Sequence, residues 1–141
     1  MDLITSILTI TLRAGTSLVY ATIGETYTER SGIMNLGLEG IMLMGAVSSF
    51  AVVYYTGSLA LALLMAVLVG GLLSALHAFL TVTMRANQVV CGLSMTLFGT
   101  GFASFLGQRL GPESNGRYLV GLIGNRFSPI DAGALGRVPV L

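Results

Sequence analysis

The sequence predicts an all-α, multispanning integral membrane protein with about four transmembrane helices and a broken or re-entrant element near Ser31. Three observations carry this. Hydrophobic residues make up 54% of the chain and charged residues 9%, with a mean hydropathy of +0.86, whereas a soluble domain carries about a quarter of its residues as charges. Four apolar stretches each approach the ~20 residues that a helix needs to cross a hydrocarbon core of ~30 Å. Small residues recur every fourth position along two of them, the spacing of closely packed membrane helices.

The first stretch, 3–23, reads as a retained helix. Asp2 stands where a signal peptide carries positive charge, Arg13 interrupts the apolar run, and no convincing small-residue cleavage site follows. Arg13 is expensive at membrane depth. Either its helix packs inward against protein, water or a carboxylate, or the arginine snorkels toward the interface. The second stretch, 33–55, emerges from GETYTERSGIMNLGLEGIMLMG at 24–45, which sets Glu25, Glu29, Arg30 and Glu39 beside lipid. Ionisable residues there mark function by default.

In the third stretch, 59–83, Ala62, Ala66, Gly70, Ser74 and Ala78 line up along one side of a helix. The fourth, 89–110, carries two neighbouring stripes, Gly99, Ala103, Gly107 and Gly92, Thr96, Thr100, Ser104, the second of which can also hydrogen bond across an interface. Helix packing is the simplest use of both patterns. Phe98 and Phe102 suit either stacking on a base or ordinary packing. Beyond Leu110, residues 111–141 hold all three prolines and read as an irregular connection. It closes on Val138, Pro139, Val140 and Leu141, which looks like the start of a further segment, so 1–141 reads as one membrane domain that is incomplete.

Several chemistries are poorly served by this composition. His77 is the only histidine and Cys91 the only cysteine, which leaves no multi-histidine metal site and no intrachain disulfide. His77 reads as a capped or interfacial structural residue, with a functional role as the alternative, and Cys91 as a small buried hydrophobe. No cofactor is expected. All seven cations are arginine and the net charge is +1, which offers no field for nucleic acid and no GxxxxGK[ST] phosphate loop. An intramembrane enzyme has little to work with, since no Ser-His-Asp arrangement can be argued.

The 24–45 run has its own physical logic. Ser31 can cap a helix beginning there, and Gly32, Gly37 and Gly40 permit either a kinked backbone or close helix contact. Ser31, Asn35 and Glu39 are spaced by four and share a face if this part is helical. Glu25 and Glu29 are likewise four apart with Arg30 adjacent, so a small ion-paired cluster that also meets Glu39 or Arg13 is expected. Two uses remain open: a network that fixes a broken helix, or direct handling of a polar solute or proton.

GETYTERSGIMNLGLEGIMLMGA resembles the signature of the membrane permease subunits of ABC importers, in the branch that includes ribose-type sugar and branched-chain amino acid permeases. ERSGIMNLGLEG is most similar to nucleoside importers that work with a basic-membrane-protein-type lipoprotein. HAFLTVTMRANQVVCGLSMTLFGTG extends the likeness through His77, residues 85–90, Gly92 and Leu93. The resemblance implies a translocation pathway rather than catalysis, in the bacterial cytoplasmic (inner) membrane. Its implied partners are a second permease subunit, a cytoplasmic ATPase subunit, an extracytoplasmic solute-binding lipoprotein and membrane lipid. The chain looks like the N-terminal half of such a permease, without the segment that docks on the ATPase.

On this reading Glu25, Glu29, Arg30, Ser31, Asn35, Gly37, Glu39 and Gly40 shape the pathway, and Asn87, Gln88 and Thr96 face it. Nucleosides are the expected solute, then simple sugars or branched-chain amino acids. A half-size secondary transporter using Glu25, Glu29 and Glu39 is the competing class. The resemblance places the Arg85 connection in the cytoplasm and the loop after Leu110 outside. Arg109, Arg117, Arg126 and Arg137 pull the other way under the positive-inside rule, which a loop of that length weakens.

Overall fold

The computed structural model describes residues 3–110, and these are helical with short connections. Helix α1 spans Leu3–Arg30, α2 Leu38–Thr56, α3 Leu59–Ala78, and α4 Gln88–Leu110, with a π-helical turn at Phe79–Thr83 prolonging α3. Four stretches, Ser6–Arg30, Leu38–Thr56, Leu59–Thr83 and Gln88–Leu110, are long and apolar enough to cross a membrane. Large apolar side chains such as Leu72, Leu97 and Leu63 are exposed on these helices, a surface suited to hydrocarbon or to further helices.

Two element boundaries differ from the sequence reading. α1 continues through Glu25 to Arg30 and α2 begins five residues later than expected, at Leu38. The polar run ETYTER has no apolar signal, yet Thr26 and Thr28 satisfy their hydroxyls on the carbonyls of Thr22 and Glu25 and so sit comfortably in helix.

α2 is the central element, packed on one side against α3 and on the other against α4. The α2–α3 turn is two residues long. Gly57, at φ 67°, closes α2 with its N–H on the Val53 carbonyl, and the Ser58 hydroxyl accepts the Leu61 N–H to open α3. The helices are therefore antiparallel, with Gly45 facing Ala66 and Gly70 facing Ile41. α4 runs parallel to α2, since Gly37 and Gly40 meet Gly92, Met95 and Thr96 in ascending order. α1 makes no packing of comparable extent, and none of its spanning window is buried.

Small residues set these crossings, as expected where lipid competes for apolar surface and close backbone approach does the holding. Their stripes are not the straight rows read from sequence. On α3, Ala62 is buried and Ala66 and Gly70 half-buried, but Ser74 and Ala78 are exposed, and His77 and Thr81 carry the seam onward. A four-residue step overshoots a turn by about 40°, so such a row slides off the contact within three steps. On α4 the seam is Gly92, Met95, Gly99 and Ala103, taking members of both expected rows, while Thr100, Ser104 and Gly107 are exposed.

Candidate helix break at the α1–α2 junction

α1 ends in a left-handed turn. Gly32 takes φ 81°, its N–H bonds the Glu29 carbonyl at 2.9 Å, and the Ile33 N–H bonds the Thr28 carbonyl at 3.1 Å, the paired bonds of a Schellman close. Ser31 lies inside this close rather than opening a helix: its hydroxyl donates to the Tyr27 carbonyl at 3.1 Å. The expected Ser31 cap is thus corrected. α2 opens at Gly37 without a side-chain cap.

Beyond the two closing bonds of α1 and the Gly37 carbonyl, which accepts the Ile41 N–H, the backbone of residues 32–37 takes its partners from side chains. Glu25 of α1 accepts the Asn35 N–H on Oε1 at 2.7 Å and the Thr28 hydroxyl on Oε2 at 3.0 Å. Gln88 at the start of α4 grips the segment with both ends of its amide, Oε1 accepting the Met34 N–H at 2.7 Å and Nε2 donating to the Gly32 carbonyl at 3.2 Å. Thr96 donates to the Leu36 carbonyl at 2.8 Å. Asn35, 9% exposed, accepts the Gly37 N–H on its own Oδ1 at 3.0 Å. Irregular backbone beside lipid persists only where protein satisfies it, and here side chains of α1 and α4 do so.

Glycine lets the segment lie flat on α4. A Cβ at Gly92 would stand 2.8 Å from Leu36 Cβ, one at Gly37 2.7 Å from Met95 Cβ, and one at Gly99 2.5 Å from the Gly40 carbonyl oxygen. Gln88, Gly92 and Thr96 are four apart on one face of α4, a clamp, a gap and a second clamp. The Q-x3-G-x3-T spacing is the sequence signal for this contact.

The break lies at one end of the bundle, level with the first residue of α4, so it connects two separate spans. Ser31 and Asn35 are outside helix and do not share a helical face with Glu39, which sits in the first turn of α2. The expected ion-paired cluster is also corrected. Among the described residues no carboxylate pairs with an arginine: Glu25 is committed to backbone, and Glu29, Arg30 and Glu39 are exposed. The side chain of Arg13 and residues 111–141 lie outside the described residues. Asn87 opens α4, accepting the N–H groups of Val89 and Val90 at 3.0 and 3.2 Å. The Phe98 and Phe102 rings stack on each other at 5.6 Å.

Beyond the Gly40–Gly99 crossing, α2 and α4 diverge around an open groove of about 360 Å³ lined by Leu43, Val47 and Phe50 and by Thr100, Ala103 and Ser104. It is apolar apart from two hydroxyls, and the Thr100 hydroxyl is returned to the Thr96 carbonyl at 2.7 Å. No group of three or more metal-ligating side chains occurs among the described residues.

Residues 7–129 match the family described as branched-chain amino acid transport system / permease component. Over its whole length the chain is 38% identical to a putative glucose ABC transporter permease of Haloferax volcanii, covering 48% of that protein. It is 41% identical, over 64% of its length, to a nucleoside ABC transporter permease of Lactococcus lactis subsp. cremoris, covering 31% of it. A guanosine ABC transporter permease of Bacillus subtilis is 29% identical over the whole chain, which covers 45% of that relative. The chain thus spans about half or less of these relatives' length. No solved structure matches it.

Proposed function

This chain belongs to the branched-chain amino acid transport system permease family, and on that premise we propose that it forms part of the membrane pathway of an ABC importer for nucleosides. The observation that carries the reading is the ERSGIMNLGLEG run, folded as a helix break whose backbone is satisfied by Glu25, Gln88 and Thr96. A break held this way gives a pathway wall a fixed non-helical shape while spending no water on it. Nucleosides are favoured by two relatives named for nucleoside and guanosine transport.

Energy comes from a cytoplasmic ATPase partner, selectivity from a solute-binding lipoprotein outside, and the remaining pathway wall from a second permease subunit, in the cytoplasmic membrane. The Arg30 and Arg85 end of the bundle faces the cytoplasm, which agrees with the positive-inside rule for these two residues. Secondary transport through Glu25, Glu29 and Glu39 is less well supported, because the Glu25 carboxylate already accepts the Asn35 N–H.

A second reading, a simple-sugar importer, is supported by the full-length match to the putative glucose permease. Both solutes present ring hydroxyls, so a pathway that does not itself select treats them alike. Uptake of labelled guanosine and labelled glucose by proteoliposomes carrying the assembled transporter separates them. Guanosine uptake that unlabelled glucose leaves unchanged supports the nucleoside reading, and the reverse pattern replaces it with the sugar one.

A further inference from the structure

At the end of α3 three irregularities fall within nine residues. His77 is 3% exposed, and neither Nδ1 nor Nε2 has a hydrogen-bond partner among the described residues. Phe79–Thr83 is a π turn, with the Met84 N–H on the Phe79 carbonyl at 3.1 Å. Arg85, which is not glycine, takes φ 52°. Buried polar groups are nearly always paired, a π turn holds one residue more than its α counterpart and recurs at functional sites, and left-handed backbone outside glycine is strained. The first two features are linked, since Thr81, 7% exposed and inside the π turn, donates to the His77 carbonyl at 2.8 Å.

The pairing of Gly45 with Ala66 and of Ile41 with Gly70 sets the register of α2 against α3. Continued by two turns, it brings His77 level with the 31–37 segment. The unpartnered imidazole therefore lies at the same end of the bundle as the helix break.

We propose that the π turn is mobile along α3, and that its passage toward the N-terminus carries His77 out of its buried seat onto the translocation path, where the imidazole hydrogen bonds solute hydroxyl groups. Residues that a π turn passes rotate by about 100° and advance by about 1.5 Å. A rotation of that size moves His77 to the angular position now held by Leu76 or Ala78, and both are exposed. The imidazole has no partner among the described residues, so leaving its seat breaks no hydrogen bond to them. Thr81 holds the turn in place through the His77 carbonyl.

The solute contact rests on the transport reading above, whereas the mobility of the turn does not. Deleting Val82, which is 55% exposed, removes the spare residue and leaves α3 regular up to Met84. Hydrogen exchange in nanodiscs over residues 77–84 is expected to slow at least tenfold on this deletion, and equal rates in the two chains overturn the proposal. His77→Leu is expected to keep the melting temperature, because no partner is lost, and to lower uptake at least tenfold, with His77→Gln restoring part of it. Uptake within twofold of wild type in His77→Leu overturns the solute contact. A lowered melting temperature in His77→Leu overturns the stored, partnerless seat, whether or not His77→Gln rescues it. If the wild-type assembly carries no solute, the transport reading fails while the exchange comparison still decides the mobility of the turn.

Discussion

Glu25 and Asn35 are joined across the helix break by one hydrogen bond, the Glu25 carboxylate accepting the Asn35 N–H at 2.7 Å. With so little packing between α1 and the other helices, this bond is a principal tie between α1 and the segment that follows it. Hydrogen bonds to charged groups contribute about 1.5–3 kcal/mol. Glu25→Ala is therefore expected to lower stability by about that amount in a thermal melt in detergent. Glu25→Gln, which keeps an acceptor, loses less than half as much.

Gln88 uses both ends of its amide on the same segment, at Met34 and Gly32. A carboxylate of the same shape can accept but not donate, so Gln88→Glu keeps the Met34 bond and sets an oxygen against the Gly32 carbonyl. We expect Gln88→Glu to destabilise at least as much as Gln88→Ala, about 1–3 kcal/mol. Equal stability of Gln88→Glu and wild type would show that the Gly32 bond contributes nothing.

Backbone meets backbone where Gly40 crosses Gly99. A methyl group at either position overlaps main chain rather than a side chain that can swing aside, so the helices must separate. Gly99→Ala is expected to cost at least about 1–3 kcal/mol and to cut the folded yield in detergent severalfold. Gly101→Ala on the same helix, with nothing within 4 Å of the added carbon, serves as control and leaves yield unchanged.

Glu39 is exposed in the first turn of α2, where its charge meets only the helix dipole. Glu39→Gln is expected to cost about 0.3–1 kcal/mol and to preserve folded yield. A collapse in yield would restore the ion-paired cluster that the sequence suggested.

The reach of the sequence differs from one element to the next. The start of α3 and the fourth span are legible because hydropathy acts over a few residues. The signature glycines are legible as special backbone, yet their separate uses are not. Gly32 takes a left-handed turn while Gly37 and Gly40 admit α4, and nothing local distinguishes the two demands. The polar signature reads naturally as an ion cluster because opposite charges stand near one another in sequence. Backbone amides released by a break compete for the same carboxylate, and in Glu25 the amide of Asn35 prevails.

By itself, the sequence determined four apolar helices, a break in the 24–45 run and the small residues that let helices approach, since each follows from how a short stretch meets lipid or its own backbone. Only the tertiary structure decided which residues hold the break and which face of each small-residue stripe is used. Gln88 and the Gly32 carbonyl are 56 positions apart. They become neighbours only when α2 and α3 have folded back and brought the start of α4 to the end of α1.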